Sequence, residues 1–170
     1  MRTRVAIRPL SVADQAAFVS AARASRRLHA SWVTAPTDAV SFKRYVARFD
    51  GVSNYGFVVY LPSTRELVGA INLTNVIFGA FRSGYLGYFA FAGFEGKGYM
   101  AQGLRAVVRH AFKQLKLHRL EANIQPMNLA SIALVRASGF EQEGYSRKYL
   151  KIGGRWCDHE RWALVKPSPR

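Results

Sequence analysis

The sequence predicts an α/β (α+β) fold: a mixed, mostly antiparallel sheet of about seven strands with helices on both faces. Three observations carry this. Strand-like and helix-like segments follow one another in the order β-α-α-β-β-β-α-β-α-β-β, which mixes hairpins with crossovers. Two pairs of neighbouring strands are joined by short turns, Pro62-Ser63-Thr64-Arg65-Glu66 and Gly153-Gly154, and are therefore hairpins. Between them Met100, Leu104, Val107, Val108, Ala111, Phe112 and Leu115 recur at the spacing of one helix face, with Arg105, Arg109, Lys113 and Lys116 opposite. At 170 residues the chain is expected to form one domain over 1–170.

Each element has a local reason. Val5 and Ile7 alternate with Arg4 and Arg8 in a first strand that ends at Pro9. Ser11 can cap a helix through Ala16, Phe18, Val19 and Ala22. Phe42, Tyr45, Val46 and Phe49 mark a second helix from Val40 to Phe49, stopped by Asp50-Gly51. Strands follow at Tyr55 to Leu61, Leu67 to Ile77 and Tyr85 to Phe91. After the long helix come a strand from Arg119 to Gln125 and a short helix opened by Asn128 and closed by Gly139. Two last strands, Gly144 to Ile152 and Trp156 to Val165, precede a loose tail over 166–170.

Composition narrows the function classes. With 49% hydrophobic and 21% charged residues, the chain is globular in character and not disordered. No run of 18 apolar residues occurs, so no membrane span is expected. The N-terminal segment lacks the apolar stretch of a secretory signal. The single cysteine, Cys157, excludes an internal disulfide framework and a multi-cysteine zinc site. His29, His110 and His118 have no partners at metal-ligand spacing, so no metal is expected and surface or half-buried roles are. The cytoplasm is the simplest location. The formal net charge is +15, with 11 basic against 4 acidic residues over 1–85 and 14 against 6 over 86–170. An evenly spread field of this sign attracts polyanions such as rRNA, the ribosome surface or a phosphate-rich cofactor, and is equally the solvated surface of an Arg-rich protein.

The sharpest segment is Glu95-Gly96-Lys97-Gly98-Tyr99-Met100, between a strand and the long helix. Glycines let main-chain N–H groups converge without Cβ obstruction, and a helix N-terminus adds roughly half an elementary positive charge. Together they suit a pyrophosphate. The same residues also read as a plain tight turn. A P-loop would need Ser or Thr after Lys97, where Gly98 stands. Gly96, Gly98 and Ala101 do match a dinucleotide fingerprint, with Glu121 near the distance of a ribose-binding acid. That fingerprint opens a first βαβ unit, however, and here an antiparallel hairpin precedes it.

From about residue 4 to 165 the motifs resemble the GNAT acetyltransferases. EGKGYMAQ resembles that family's pyrophosphate loop; EANIQPMNLASIALVRASGFEQE resembles its strand, Pro-x-Asn-x-x-Ser helix start and closing Gly-Phe. YLKIGGRWCDHE resembles the last hairpin of the ribosomal-protein N-terminal alanine acetyltransferases of RimJ/RimL type, with INLTNV and YLGY nearer to RimJ. The resemblance implies a splay between the central strands and acetyl-CoA as donor. It implies a pantetheine arm paired with Phe89, Ala90 and Phe91. The diphosphate would be held at Glu95, Gly96, Lys97, Gly98, Tyr99 and Met100. Asn128 would lie on the cofactor arm and Ser131 near the sulfur, with Arg136 offsetting Glu95, which stands where Gln or Arg is usual. The tyrosine common four residues after that serine is Val135 here, which turns attention to Ser131 as the donor to the leaving thiolate.

Glu121 is the candidate base, through a water, with an ion pair as its alternative. Asp158 and His159 are expected in structural or substrate-lining roles, and Cys157 as a bystander. The acceptor expected is a protein N-terminus, a ribosomal protein first of all, acted on by a monomer or homodimer. A small amine as acceptor, or an inactive RNA- or ribosome-binding module, are the rival readings.

Overall fold

The computed structural model describes residues 4–167; the far end of the expected loose tail, residues 168–170, lies outside them. Seven strands form one sheet in the order β1-β2-β3-β4-β5-β7-β6. They are β1 (Ala6–Pro9), β2 (Tyr55–Tyr60), β3 (Leu67–Ile77), β4 (Ser83–Ala90), β5 (Arg119–Ile124), β6 (Glu141–Ile152) and β7 (Arg155–Val165). All neighbours are antiparallel except β4 and β5, which the long helix connects as a crossover.

After β1 a single 3₁₀ turn (Val12–Asp14) leads into α1 (Gln15–Ala24), α2 (Arg26–His29) and α3 (Ala39–Val46). Two helices were expected here; the four-residue α2 is too short to leave a periodic signal. The second expected helix ends three residues earlier than its apolar spacing implied. Arg48 and Phe49 donate to Tyr45 and Val46, three residues back, so the last turn tightens and unwinds. Phe49 still packs, edge-on to Tyr45 with ring centroids 5.1 Å apart. The third helix is α4 (Tyr99–Lys113) and the fourth expected one is α5 (Leu129–Ala137), capped by Asn128.

A sheet with helices on both faces has two cores. Val59, Ile71, Leu73, Leu104, Val107 and Leu120 are buried under α4 and α5. Phe18, Phe42, Val58, Ala70, Phe89 and Phe91 are buried under α1 and α3. Strand alternation sends Val58 to one side and Val59 to the other. The close seat of α4 depends on Gly103, where a Cβ would stand 2.7 Å from Val59. On the opposite face Phe18 is fully buried, with ring centroids 5.2 Å from Phe91 and 6.1 Å from Phe89, which pins α1 to the end of β4.

The central feature is a divergence. Ser83–Leu86 of β4 pair with Arg119–Ala122 of β5 and pairing stops there, although β4 continues to Ala90 and β5 to Ile124. The cause is visible beyond the paired segment. The α1–α2 turn occupies the free edge of β4: His29 Nε2 donates to the Ala90 carbonyl (2.8 Å) and Ser25 Oγ accepts from the Ala92 N–H (2.8 Å). Across the gap Gln125 Nε2 donates to the Ser31 carbonyl (3.1 Å), so the same segment also holds the end of β5. The expected splay is present.

Candidate active site

At the divergence lies a cavity of about 570 Å³ lined from both faces of the sheet. On the α4–α5 side it is walled by the glycine turn, Tyr88, Asn128 and Ser131; on the α1–α2 side by Leu28, His29, Trp32, Asn123 and His159.

The turn is built for an anion. Gly96 and Gly98 have φ of +71° and +73°, and a Cβ at either would meet nothing, so conformation and not crowding calls for glycine. Gly98 caps α4 without any side-chain hydrogen bond. Among the described residues, the main-chain N–H groups of Gly96 and Gly98 find no protein acceptor, and those of Tyr99 and Met100, in the first turn of α4, have none within the helix. They face solvent at the positive end of a 15-residue helix. Arg4 braces the turn from behind, its guanidinium 5.1 Å from the Tyr99 ring centre and its N–H donating to Gln102 (2.8 Å).

Strand β4 offers a main-chain edge. Phe91 N–H donates to the Val68 carbonyl of β3 (2.8 Å). Successive residues of a strand face opposite edges, so the main-chain groups of Tyr88 and the N–H of Ala90 face the gap, the Ala90 carbonyl being taken by His29. Of the expected pantetheine contacts, Phe89 and Ala90 line the cavity, whereas Phe91 does not: its N–H is bonded to β3 and its ring is buried under α1.

Asn128 Oδ1 accepts from the Ser131 N–H (3.2 Å), starting α5 and fixing Ser131 in its first turn. Ser131 Oγ then donates to the Tyr88 hydroxyl (3.0 Å), which in turn donates to the Ser131 carbonyl (3.2 Å). Burial pushes the Tyr88 phenol up to about 12, only partly offset by its bond to Ser131. It is therefore a neutral hydrogen-bond donor throughout the ordinary pH range. Sequence reasoning missed Tyr88, which reads there as one more alternating strand residue. A hydroxyl pair thus stands where the absent tyrosine at Val135 had left Ser131 alone.

Other expected site residues lie apart. Glu121 is off the cavity wall, with Oε1 2.7 Å from Arg119 Nε, and Arg119 also pairs with Glu143. Arg136 stacks over Trp162 at 5.2 Å, and Lys97 lies over Phe94 at 5.7 Å. Glu95, Gly96, Gly98, Tyr99 and Met100 do line the cavity. Asp158 is half-buried and holds β6: Oδ1 accepts from the Lys148 N–H (2.8 Å) at a positive-φ bulge, and Oδ2 from the Tyr145 hydroxyl (2.7 Å). Those contacts keep its carboxyl below the usual range. His29, expected at the surface or half-buried, is only 4% exposed.

The acetyltransferase (GNAT) domain pattern matches residues 4–141 of this chain. The chain belongs to the GNAT acetyltransferase family. It is 39% identical over 124 residues to the probable N-acetyltransferase YjcK of Bacillus subtilis, covering 73% of this chain and 68% of that one. It is also 39% identical over 116 residues to the [ribosomal protein uS5]-alanine N-acetyltransferase of Escherichia coli, covering 68% of this chain and 60% of that protein. The structure of Mycobacterium smegmatis RimJ in complex with CoA-disulfide superposes with a TM-score of 0.87 at 28% identity, over 95% of this chain and 81% of the other. This acetyltransferase uses acetyl-CoA as its donor. Its uncapped helix end, open strand edge and cavity fit that molecule's diphosphate, peptide-like arm and thioester in turn. Among the described residues no group of three His, Cys, Asp or Glu side chains could hold a metal ion, and no helix is long and apolar enough to cross a membrane.

Proposed function

We propose that this acetyltransferase transfers the acetyl group to the N-terminal α-amine of a protein, a ribosomal protein in the cytoplasm being the preferred acceptor. The carrying observation is the cavity between the diverging β4 and β5, lined by residues from both faces of the sheet, where donor and acceptor entering from opposite sides would meet. Direct transfer within such a ternary complex draws mainly on positioning. The chemistry supports an α-amine. Its pKa of about 7.7–8.0 leaves roughly a tenth neutral at pH 7, whereas a lysine at about 10.4 would need a strong base. The 39% identity to an alanine N-acetyltransferase of ribosomal protein uS5 points the same way. The +15 charge favours work beside rRNA.

In this reading the N–H groups at Gly96, Gly98, Tyr99 and Met100 hold the diphosphate. Lys97 swings from Phe94 to join them, and Arg136 offsets Glu95 from a distance. Tyr88 pairs its main chain with the pantetheine arm, Ala90 adds its N–H, and Asn128 lines the arm. Ser131 turns its hydroxyl hydrogen from Tyr88 to the departing thiolate, and the Tyr88 hydroxyl donates to Ser131 Oγ in its place. Glu121, held by Arg119, keeps its sheet ion pair. Peptides with free N-termini, incubated with labelled acetyl-CoA and mapped by fragmentation, test the proposal: label is expected on the α-amine of alanine-initiated peptides. Label confined to lysine side chains or to small polyamines would refute it.

A further inference from the structure

We infer that His159 and Asn123 form the seat of the acceptor amine, with His159 Nε2 taking the proton that the amine loses. The inference rests on the acetyl-transfer reading and names a catalytic residue for it.

His159 is 3% exposed and lines the cavity from β7. Its Nδ1 lies 2.9 Å from the Cys157 carbonyl. A carbonyl only accepts, so Nδ1 carries the hydrogen, and Nε2 of the neutral ring keeps a lone pair. Among the described residues Nε2 has no partner. The Tyr149 ring, 6.1 Å away centre to centre, fixes the imidazole from β6, at the bulge that Asp158 holds. Asn123 of β5 pairs with Arg161, so His159, two residues from Arg161, shares its face of the sheet. Asn123 Oδ1 is buried without a hydrogen-bond partner.

Two unpaired acceptors thus meet at the acceptor end of the cleft. Leaving the buried Asn123 Oδ1 without a donor is costly, and the complement of two acceptors side by side is a group with at least two N–H bonds. A primary amine is such a group. Of the other titratable side chains of the cavity, Tyr88 is bonded to Ser131, and Glu95 and Tyr99 stand at the diphosphate turn; His29 donates to Ala90 through Nε2, which leaves its buried Nδ1 as a further unpaired acceptor on the same wall. The step balances. The amine nitrogen attacks the thioester carbonyl carbon, the C–N bond forms and the C–S bond breaks. One amine proton passes to Nε2, and the sulfur leaves as a thiolate that takes the Ser131 hydroxyl proton, which solvent replaces. The imidazolium then returns its proton to solvent.

The test uses the full chain. His159→Asn keeps a donor for the Cys157 carbonyl and removes the base; His159→Ala leaves a hole for added imidazole. Both variants should keep the acetyl-CoA-induced rise in melting temperature, which reports fold and donor site. With an alanine-initiated peptide, kcat should fall by about 100-fold in each. Substituted imidazoles should restore His159→Ala in the order of their basicity, which a structural role would not produce. In wild type, long-range ¹H–¹⁵N spectra should show the hydrogen on Nδ1. An unchanged kcat in His159→Asn, no rescue, or the hydrogen on Nε2 would each overturn the inference while leaving N-acetyl transfer intact. A wild-type protein that binds acetyl-CoA and acetylates no amine would overturn both.

Discussion

The two halves of the cleft are built in opposite ways. The donor half is made from two short runs of sequence, Glu95–Met100 and Asn128–Ser131, and it presents donors: free N–H groups at the turn and the Ser131–Tyr88 hydroxyl pair. The acceptor half gathers single residues from α2, β5 and β7, and it presents acceptors, Asn123 Oδ1 and the second nitrogen of His159. The polarity follows the chemistry. A diphosphate and a departing thiolate ask for hydrogens, whereas an attacking amine asks for somewhere to put one. Each half can therefore be broken without the other, and the size of each effect reports on the division.

The largest effect expected in the donor half lies at the hydroxyl pair. Ser131→Ala and Tyr88→Phe should each lower kcat by about 10- to 100-fold, in line with single acid–base contributions, with little change in acetyl-CoA binding. Because the two groups share one hydrogen bond, the double variant should cost far less than the product of the singles. Full multiplicativity in steady-state kinetics would mean that the groups act apart. The Tyr88 phenol is displaced upward to about 12, so it keeps its proton well past pH 10 and should impose no alkaline loss of activity below about pH 11. Its contribution to stability is likewise complete below about pH 10 and lost as pH rises through the folded-state value. An alkaline limb near neutrality that vanishes in Tyr88→Phe would contradict this.

Legibility divides along the same line. The long helix, the glycine turn and the Asn-x-x-Ser start could be read because each is local: helix spacing, positive φ and a cap act over a few residues. Strand β3 was read to its observed ends, Leu67–Ile77, because turn residues bound it on both sides. Tyr88 could not be, since its hydroxyl meets a serine 43 positions away. His29 was read as ordinary because nothing in its neighbourhood shows that its ring will reach the carbonyl of Ala90, 61 positions on. The splay itself came from resemblance alone. It results from the α1–α2 turn occupying an edge that β5 would otherwise extend along, and no period or propensity encodes that competition. Glu121 shows the converse. Its spacing suggested a role that its partner Arg119, two residues away on the same face, takes up.

A middle-sized effect should come from the turn. Gly98→Ala places a Cβ where φ is +73°, in open space. The strain of a left-handed non-glycine residue is about 1–2 kcal/mol. The turn is exposed and its N–H groups are unbonded, so without donor it is free to relax and escape that strain. Binding would then have to restore the strained form, and acetyl-CoA affinity should fall by about 5- to 30-fold with the melting temperature nearly unchanged. Calorimetry and thermal melting together decide the matter. A lowered melting temperature with unaltered affinity would mean that the turn is rigid before the donor arrives.

The smallest effect tests the one residue of the donor half that runs against its polarity. Glu95 is exposed, lines the cavity and sits beside the turn that receives the diphosphate. It acts in two opposed ways. At the N-terminus of α4 its charge favours the helix, and beside a bound diphosphate the same charge repels. Glu95→Gln removes both at constant shape. Affinity for acetyl-CoA should rise by about 2- to 5-fold at low ionic strength, because exposed charges a few ångströms apart interact weakly through water. The gain should shrink as salt is added and the Debye length contracts to about 8–10 Å. Helix stability should move slightly the other way. If affinity instead falls on Glu95→Gln, the carboxylate is ordering the turn for its ligand, and the donor half would owe its shape to an acceptor after all.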